Sequence, residues 1–196
     1  GPPTAEGPLA EWFEGADFVY STSALLAREL GVPVIPTVAV KADGVTALES
    51  KLGTRAHWGG VYERELRNFA HDPSDEGVDW FSDDVGDRLM EYVTEHCPLA
   101  DGVLDLGCGS AVFLTDLATG REGRFLGVDY SETAIALAAS VGQRRGLTQV
   151  RFCHADCARL EALEERFRLV LDKGTFDAYM LGASASVDLC GNQPVS

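Results

Sequence analysis

The stretch GVLDLGCGSAVFLTDL, residues 102–117, decides the fold. An apolar run, Val103–Leu106, carries one acid, Asp105, and stops at Gly107 and Gly109 before apolar residues resume at Ala111. A strand, a tight turn bare of side chains and a helix is the expected order, because glycine enters the left-handed backbone region without a Cβ penalty.

Working outward, strands and helices alternate. Strands are expected at Val103–Leu106, Arg124–Asp129, Gln149–His154 and Phe167–Asp172. Between them lie helices from about Ala111 to Thr119, closed by Gly120, from Ser131 to Arg145, closed by Gly146, and a short one near Ala158–Glu165. Such alternation predicts a parallel, doubly wound α/β sheet. Upstream, Thr54 caps a helix with apolar residues Trp58, Val61, Tyr62, Leu66 and Phe69 at helical spacing, and Ser82 caps another that ends at Cys97-Pro98. The first fifty residues differ in texture: five prolines punctuate them, and GVPVIPTVAV carries two, which confine it to an edge or a loop. They form a separate extension, residues 1–49, with no chemistry assigned.

The 196 residues are 45% hydrophobic, enough for one sizeable core, and carry a formal charge of −15. Ten acids lie between Asp72 and Asp101 against the single Arg88, so a phosphate backbone is repelled and a basic protein surface attracted. A solvated helix face serving solubility is the equal alternative. No apolar run reaches membrane-spanning length and no signal sequence is evident, which predicts neither membrane nor nucleic acid as partner and a cytoplasmic location, the nucleus being the alternative. The chain starts with Gly1-Pro2 rather than Met, as a processed, tagged or fragmentary product would. Five cysteines without CxxC spacing read as free thiols, with no metal site.

In an open α/β sheet the ligand lies beyond the carboxyl ends of the strands, beside Gly107 and Gly109. A dinucleotide fingerprint needs a third small residue at position 112, which is Val112, so an NAD-dependent oxidoreductase is disfavoured. Counted instead as acid-x-Gly-x-Gly, the loop places Asp105 where a ligand with a positive group needs it. S-adenosylmethionine carries an ammonium and a sulfonium, and Asp105 is expected to hold the ammonium. Asp129, 22 residues after Gly107, suits the ribose hydroxyls, with Tyr130 beside it. Asp156 is expected at the adenine amine and the Cys157 amide at a ring nitrogen. Trp80 and Phe81, flanked by acids in a loop, are expected to wall the cofactor, whereas Trp58 and Tyr62 read first as core.

Five segments, SKLGTRAHWGGVYERELRNF, WFSDD, VLDLGCGSAVFL, GVDYSETAI and LVLDKGTFDA, together resemble the elongation factor 1-alpha lysine methyltransferases, over about residues 50–181. The resemblance implies a Rossmann-like, S-adenosylmethionine-dependent methyltransferase sheet under an N-terminal helical cap. It also implies a lysine of elongation factor 1-alpha as substrate. Ala111 stands where that family's loop has a third glycine, a replacement small enough to cost little. Asp172, at the end of the fourth strand, is the expected orienting group for the substrate amine, with capping of its own turn as the alternative. The methyltransferase domain is expected over residues 50–182, with 183–196 as a divergent tail. Three further strands of the family fold find no counterpart, so a truncated chain is expected, with Phe167–Leu171 as an uncovered edge that favours self-association. A non-catalytic cofactor-binding fragment is accordingly the main alternative function.

Overall fold

The computed structural model describes residues 18–21, 51–80, 83–97, 99–157, 160 and 165–186. Strands β1 (Phe18–Ser21), β2 (Val103–Leu106), β3 (Phe125–Asp129), β4 (Val150–His154) and β5 (Leu169–Asp172) form one parallel sheet in the order β1-β5-β2-β3-β4. The helices are α1 (Arg55–His71), α2 (Asp83–His96), α3 (Val112–Ala118), α4 (Glu132–Arg144) and α5 (Thr175–Ser186). From β2 the chain crosses to β3 on one side and later returns to β5 on the other, which opens the crevice of a doubly wound sheet at the carboxyl end of β2.

Local chemistry explains the boundaries. Thr54 caps α1, its hydroxyl accepting from the His57 amide at 3.3 Å and donating to the Lys51 carbonyl at 2.8 Å. Ser131 caps α4 by accepting from the Ala134 amide at 3.2 Å, and Gly146, at φ +69°, follows its last turn. The core is continuous from α2 to the sheet and α3, with Val93, Val103, Leu114, Leu117, Phe125, Leu169 and Leu171 wholly buried.

Three expectations change. First, Leu169–Asp172 is no sheet edge: Phe18–Ser21, inside the supposed separate extension, pairs with it in parallel register, Phe18 opposite Leu169 and Ser21 opposite Asp172. The self-association argued from an uncovered β5 loses its basis, because both flanks of that strand are paired. Second, the buried face of α1 is Val61, Tyr62 and Glu65, while Leu66 and Phe69 stay half-exposed. Val61 and Tyr62 pack on Ala134 of α4, and Glu65 lies one turn on along the same face. Third, Ala111 adopts φ +58°, ψ +26°, so the cost of replacing glycine there is backbone strain of about 1–2 kcal/mol and has nothing to do with size. Helix α5, not among the elements expected from the sequence, closes the described chain. Ser82 and the proposed 158–165 helix's residues 158, 159 and 161–164 lie outside the described residues.

Candidate active site

A cavity of about 480 Å³ opens at the carboxyl ends of β2, β3, β4 and β5, within the range of small-molecule sites. Gly107, Asp129, Asp156, Cys157 and Lys173 line its strand side, Arg55, Trp58 and Tyr62 of α1 its opposite side, and Thr175, Ala178 and Tyr179 of α5 a third. Trp80 closes over it from the segment before α2, edge-on to Trp58 at 5.0 Å between ring centroids. Of the large hydrophobic side chains left exposed among the described residues, Leu52, Trp80 and Tyr179 all line this cavity. A second, smaller cavity of about 40 Å³ adjoins it along Tyr62, Trp80, Gly107 and Lys173.

Six of the residues singled out from sequence, Gly107, Asp129, Tyr130, Asp156, Cys157 and Trp80, meet in the larger cavity. Gly109 lines only the smaller one, and Phe81 lies outside the described residues.

Asp129 ends β3 nearly buried, one oxygen accepting from the Gly109 amide at 3.0 Å and the other from the Ser131 amide at 2.8 Å. Burial raises its carboxyl, and those two amides pull it back toward the charged form. Each oxygen keeps a lone pair, so the side chain can still accept from a ligand hydroxyl. Tyr130 extends beside it with its hydroxyl buried and unbonded to any described residue. Burial and the neighbouring Asp129 carboxylate push that phenol up to about 12. The Arg55 guanidinium sits 4.6 Å from the centre of the Tyr130 ring and donates to Asp156 at 2.6 Å, tying α1 to the end of β4 across the cavity. Burial pushes the Cys157 thiol up to about 12, with Asp129 adding to it and the Gly107 amide, which donates to the sulfur, opposing. It is a protonated, unreactive thiol.

Asp105 is corrected. It is completely buried and lines neither cavity. Both its oxygens accept from the Lys173 ammonium, at 2.6 and 2.7 Å. The positive group its position called for comes from the chain itself. Burial works to lower the Lys173 ammonium, but the Asp105 carboxylate in contact reverses this and raises it above its ordinary range.

Asp172 is also corrected. It is 2% exposed and absent from both cavity walls, and its Oδ1 accepts from the Phe176 amide at 3.0 Å, in the first turn of α5. The capping alternative describes it, and it has no surface from which to orient a substrate amine.

The glycines serve the chain as much as a ligand. A Cβ on Gly107 would stand 2.1 Å from the Thr175 hydroxyl, and one on Gly109 would stand 2.6 Å from the Tyr62 hydroxyl, both at φ near +60°. Thr175 in turn donates to the Leu106 carbonyl at 2.7 Å. The turn is therefore clamped between α1 and α5.

Sequence reasoning missed Lys173, Arg55 and Tyr179. For Lys173 a signal existed: an acid inside the apolar run Val103–Leu106 must be buried, and a buried carboxylate requires a cation. Lys173 ends another apolar run at the same sheet edge. Nothing local marks Arg55 or Tyr179, whose roles arise only when α1 and α5 converge.

Residues 100–190 match a family model described as a methyltransferase domain. The chain is 39% identical over 140 residues to human EEF1A lysine methyltransferase 2, covering 71% of this chain and 59% of that protein. The mouse protein of the same name is 38% identical over 140 residues, covering 71% and 57%. Over that stretch the chain is similar to these lysine methyltransferases. A third relative, the Saccharomyces cerevisiae protein-lysine N-methyltransferase EFM4, is 34% identical over 140 residues, covering 67% and 61%. Among solved structures, a SAM-dependent methyltransferase from Thiobacillus denitrificans in complex with S-adenosyl-L-homocysteine is 21% identical at a TM-score of 0.45, over 66% of this chain and 47% of that one. The chain spans about three fifths of the length of its methyltransferase relatives. None of the described helices is long and apolar enough to cross a membrane.

Proposed function

We propose that this chain binds S-adenosylmethionine in the larger cavity and methylates a lysine of elongation factor 1-alpha. The carrying observation is the Asp129 carboxylate, held by two backbone amides at the end of β3 and facing a cavity whose neighbouring wall is the Gly107 turn. That is where a ribose presents its two hydroxyls to an open α/β sheet. Asp156, beyond the next strand, stands by the adenine end with Tyr130 and Cys157. The cavity's size and carboxylates suit a nucleoside with a cationic sulfur, and the unpartnered Tyr130 hydroxyl offers one further polar contact.

The cofactor, when bound, supplies an electrophilic methyl on sulfonium. The chain's part is positioning and exclusion of water. A substrate lysine reaches this methyl through the rim of Leu52, Trp80 and Tyr179, whose apolar and aromatic surfaces fit its methylene stem. Leaving water for that rim favours the neutral amine, the only form with a lone pair to attack. The acids between Asp72 and Asp101 are proposed to draw a basic translation factor toward the cavity, in the cytoplasm.

The test is transfer of radiolabelled methyl from S-adenosylmethionine to elongation factor 1-alpha. Incorporation lost when the target lysine becomes Arg supports the proposal. Tight binding of S-adenosylhomocysteine with no transfer favours the non-catalytic reading.

A further inference from the structure

The smaller cavity lies between Trp80 and the turn Gly107–Ser110, and it shares Lys173 with the larger one. A ligand filling the larger cavity can therefore extend a short arm past Gly107 into the smaller. Two charged residues line that chamber, one of each sign: Lys173 and Asp79. Lys173 keeps 8% of its side chain exposed, at the wall common to both cavities. Its ammonium has three donors, of which two go to Asp105. The Phe113 ring centre lies 5.4 Å from the amine. Asp79 is close enough to act electrostatically on Lys173 and Asp105 alike. Its segment is anchored three residues earlier, where Glu76 pairs with Arg144 at 2.7 Å and with Arg145 of the α4 terminus.

A cation and an anion lining one small chamber at the end of a nucleoside-sized cavity match a zwitterion. Resting on the cofactor reading above, we infer that Lys173 receives the carboxylate and Asp79 the ammonium of the cofactor's amino-acid end, with Asp105 the positioning residue that holds Lys173 in place. The role first given to Asp105 thus divides: Asp79 takes the ligand's positive group, and Asp105 keeps an internal cation pointed at the ligand's negative one.

Calorimetry with three ligands separates this from a structural role. S-adenosylhomocysteine carries both charges, its decarboxylated analogue only the ammonium, and 5′-methylthioadenosine neither. Asp79→Asn is expected to weaken S-adenosylhomocysteine and the decarboxylated analogue by about 10- to 100-fold and to leave 5′-methylthioadenosine within about twofold. Lys173→Met combined with Asp105→Asn, which removes the buried pair together and leaves no lone charge, should weaken S-adenosylhomocysteine alone. Should that double variant fail to fold, Asp79→Asn still decides, since it leaves the buried pair untouched. Equal losses for all three ligands, or none, would overturn the inference while the cofactor reading stands. A wild-type chain that binds none of them overturns both.

Discussion

Glu65 carries a pH dependence that can be measured without any ligand. Its side chain lies on the buried face of α1, 4% exposed, and Oε2 has no hydrogen-bond partner among the described residues. A Cβ on Gly77 would stand 2.8 Å from that oxygen, so the 77–78 segment is pressed directly onto it. Burial raises the carboxyl to about 7, against the opposing pull of Arg64 and of the Val78 amide. The unfolded chain holds this group near 4.5. A carboxyl with its pKa raised on folding binds its proton more tightly when folded, so its contribution is fully present below about 4.5 and is lost as pH rises to about 7. A shift of this size is worth at most about 3 kcal/mol, or roughly 6–12 °C in Tm for a chain of this length.

Glu65→Gln keeps the shape and the acceptor for Val78 but cannot ionise. Urea denaturation at pH 5, 6, 7 and 8 on both proteins reads the effect, since the other titrating groups cancel in the difference. The wild type should lose stability relative to the variant across that range, most steeply between pH 5 and 7. Parallel curves would refute the reasoning, and a widening loss above pH 8 would assign the effect to another group.

Gly107→Ala meets Thr175 at 2.1 Å with φ at +63° and should cost about 2–4 kcal/mol in denaturant melts, from overpacking and left-handed strain combined. Asp129→Ala should lower the affinity for S-adenosylhomocysteine by about 1–3 kcal/mol in calorimetry. It should also lower the melting temperature, because the Gly109 and Ser131 amides lose their acceptor. Asp172→Ala should cost about 1–2 kcal/mol of stability as a lost cap while leaving S-adenosylhomocysteine affinity within twofold; a large affinity loss in a folded variant would return the residue to the site. Amides of Leu169–Asp172 should exchange with deuterium as slowly as those of Val103–Leu106, since both strands are paired on each side; fast exchange would argue against β1.

The parts legible in the sequence were those with short-range signatures. Thr54 and Ser131 declare helix starts, Gly107 and Gly109 a turn, and the acids after β3 and β4 a ligand edge. What stayed hidden was set by partners distant in the chain. Asp105 reads as a ligand group until Lys173, 68 residues away, is brought against it. Glu65 was passed over in favour of Leu66 because hydrophobic periodicity weights apolar residues, whereas the helix geometry places Glu65 on the same face as Val61 and Tyr62. Residues 18–21 carry no signal of their own, since a four-residue strand is defined by what it pairs with. Asp172 had both readings available, and a strand-end acid followed by a glycine turn and a helix was a cap.

The pairing of β1 with β5 also shapes how the molecule comes together. Phe18 finds Leu169 about 150 residues later in the chain, whereas Val103 finds Phe125 after about 22. Closing the longer loop costs about 2 kcal/mol more in chain entropy, enough to slow that contact by more than tenfold relative to the shorter one. A chain emerging from the ribosome makes Phe18–Ser21 before the other described strands yet has no template for it until β5 has been synthesised and laid against β2. Among the described strands, β1 is thus the earliest translated and the last to join the sheet, and through that interval the flank of β5 stands open to other chains.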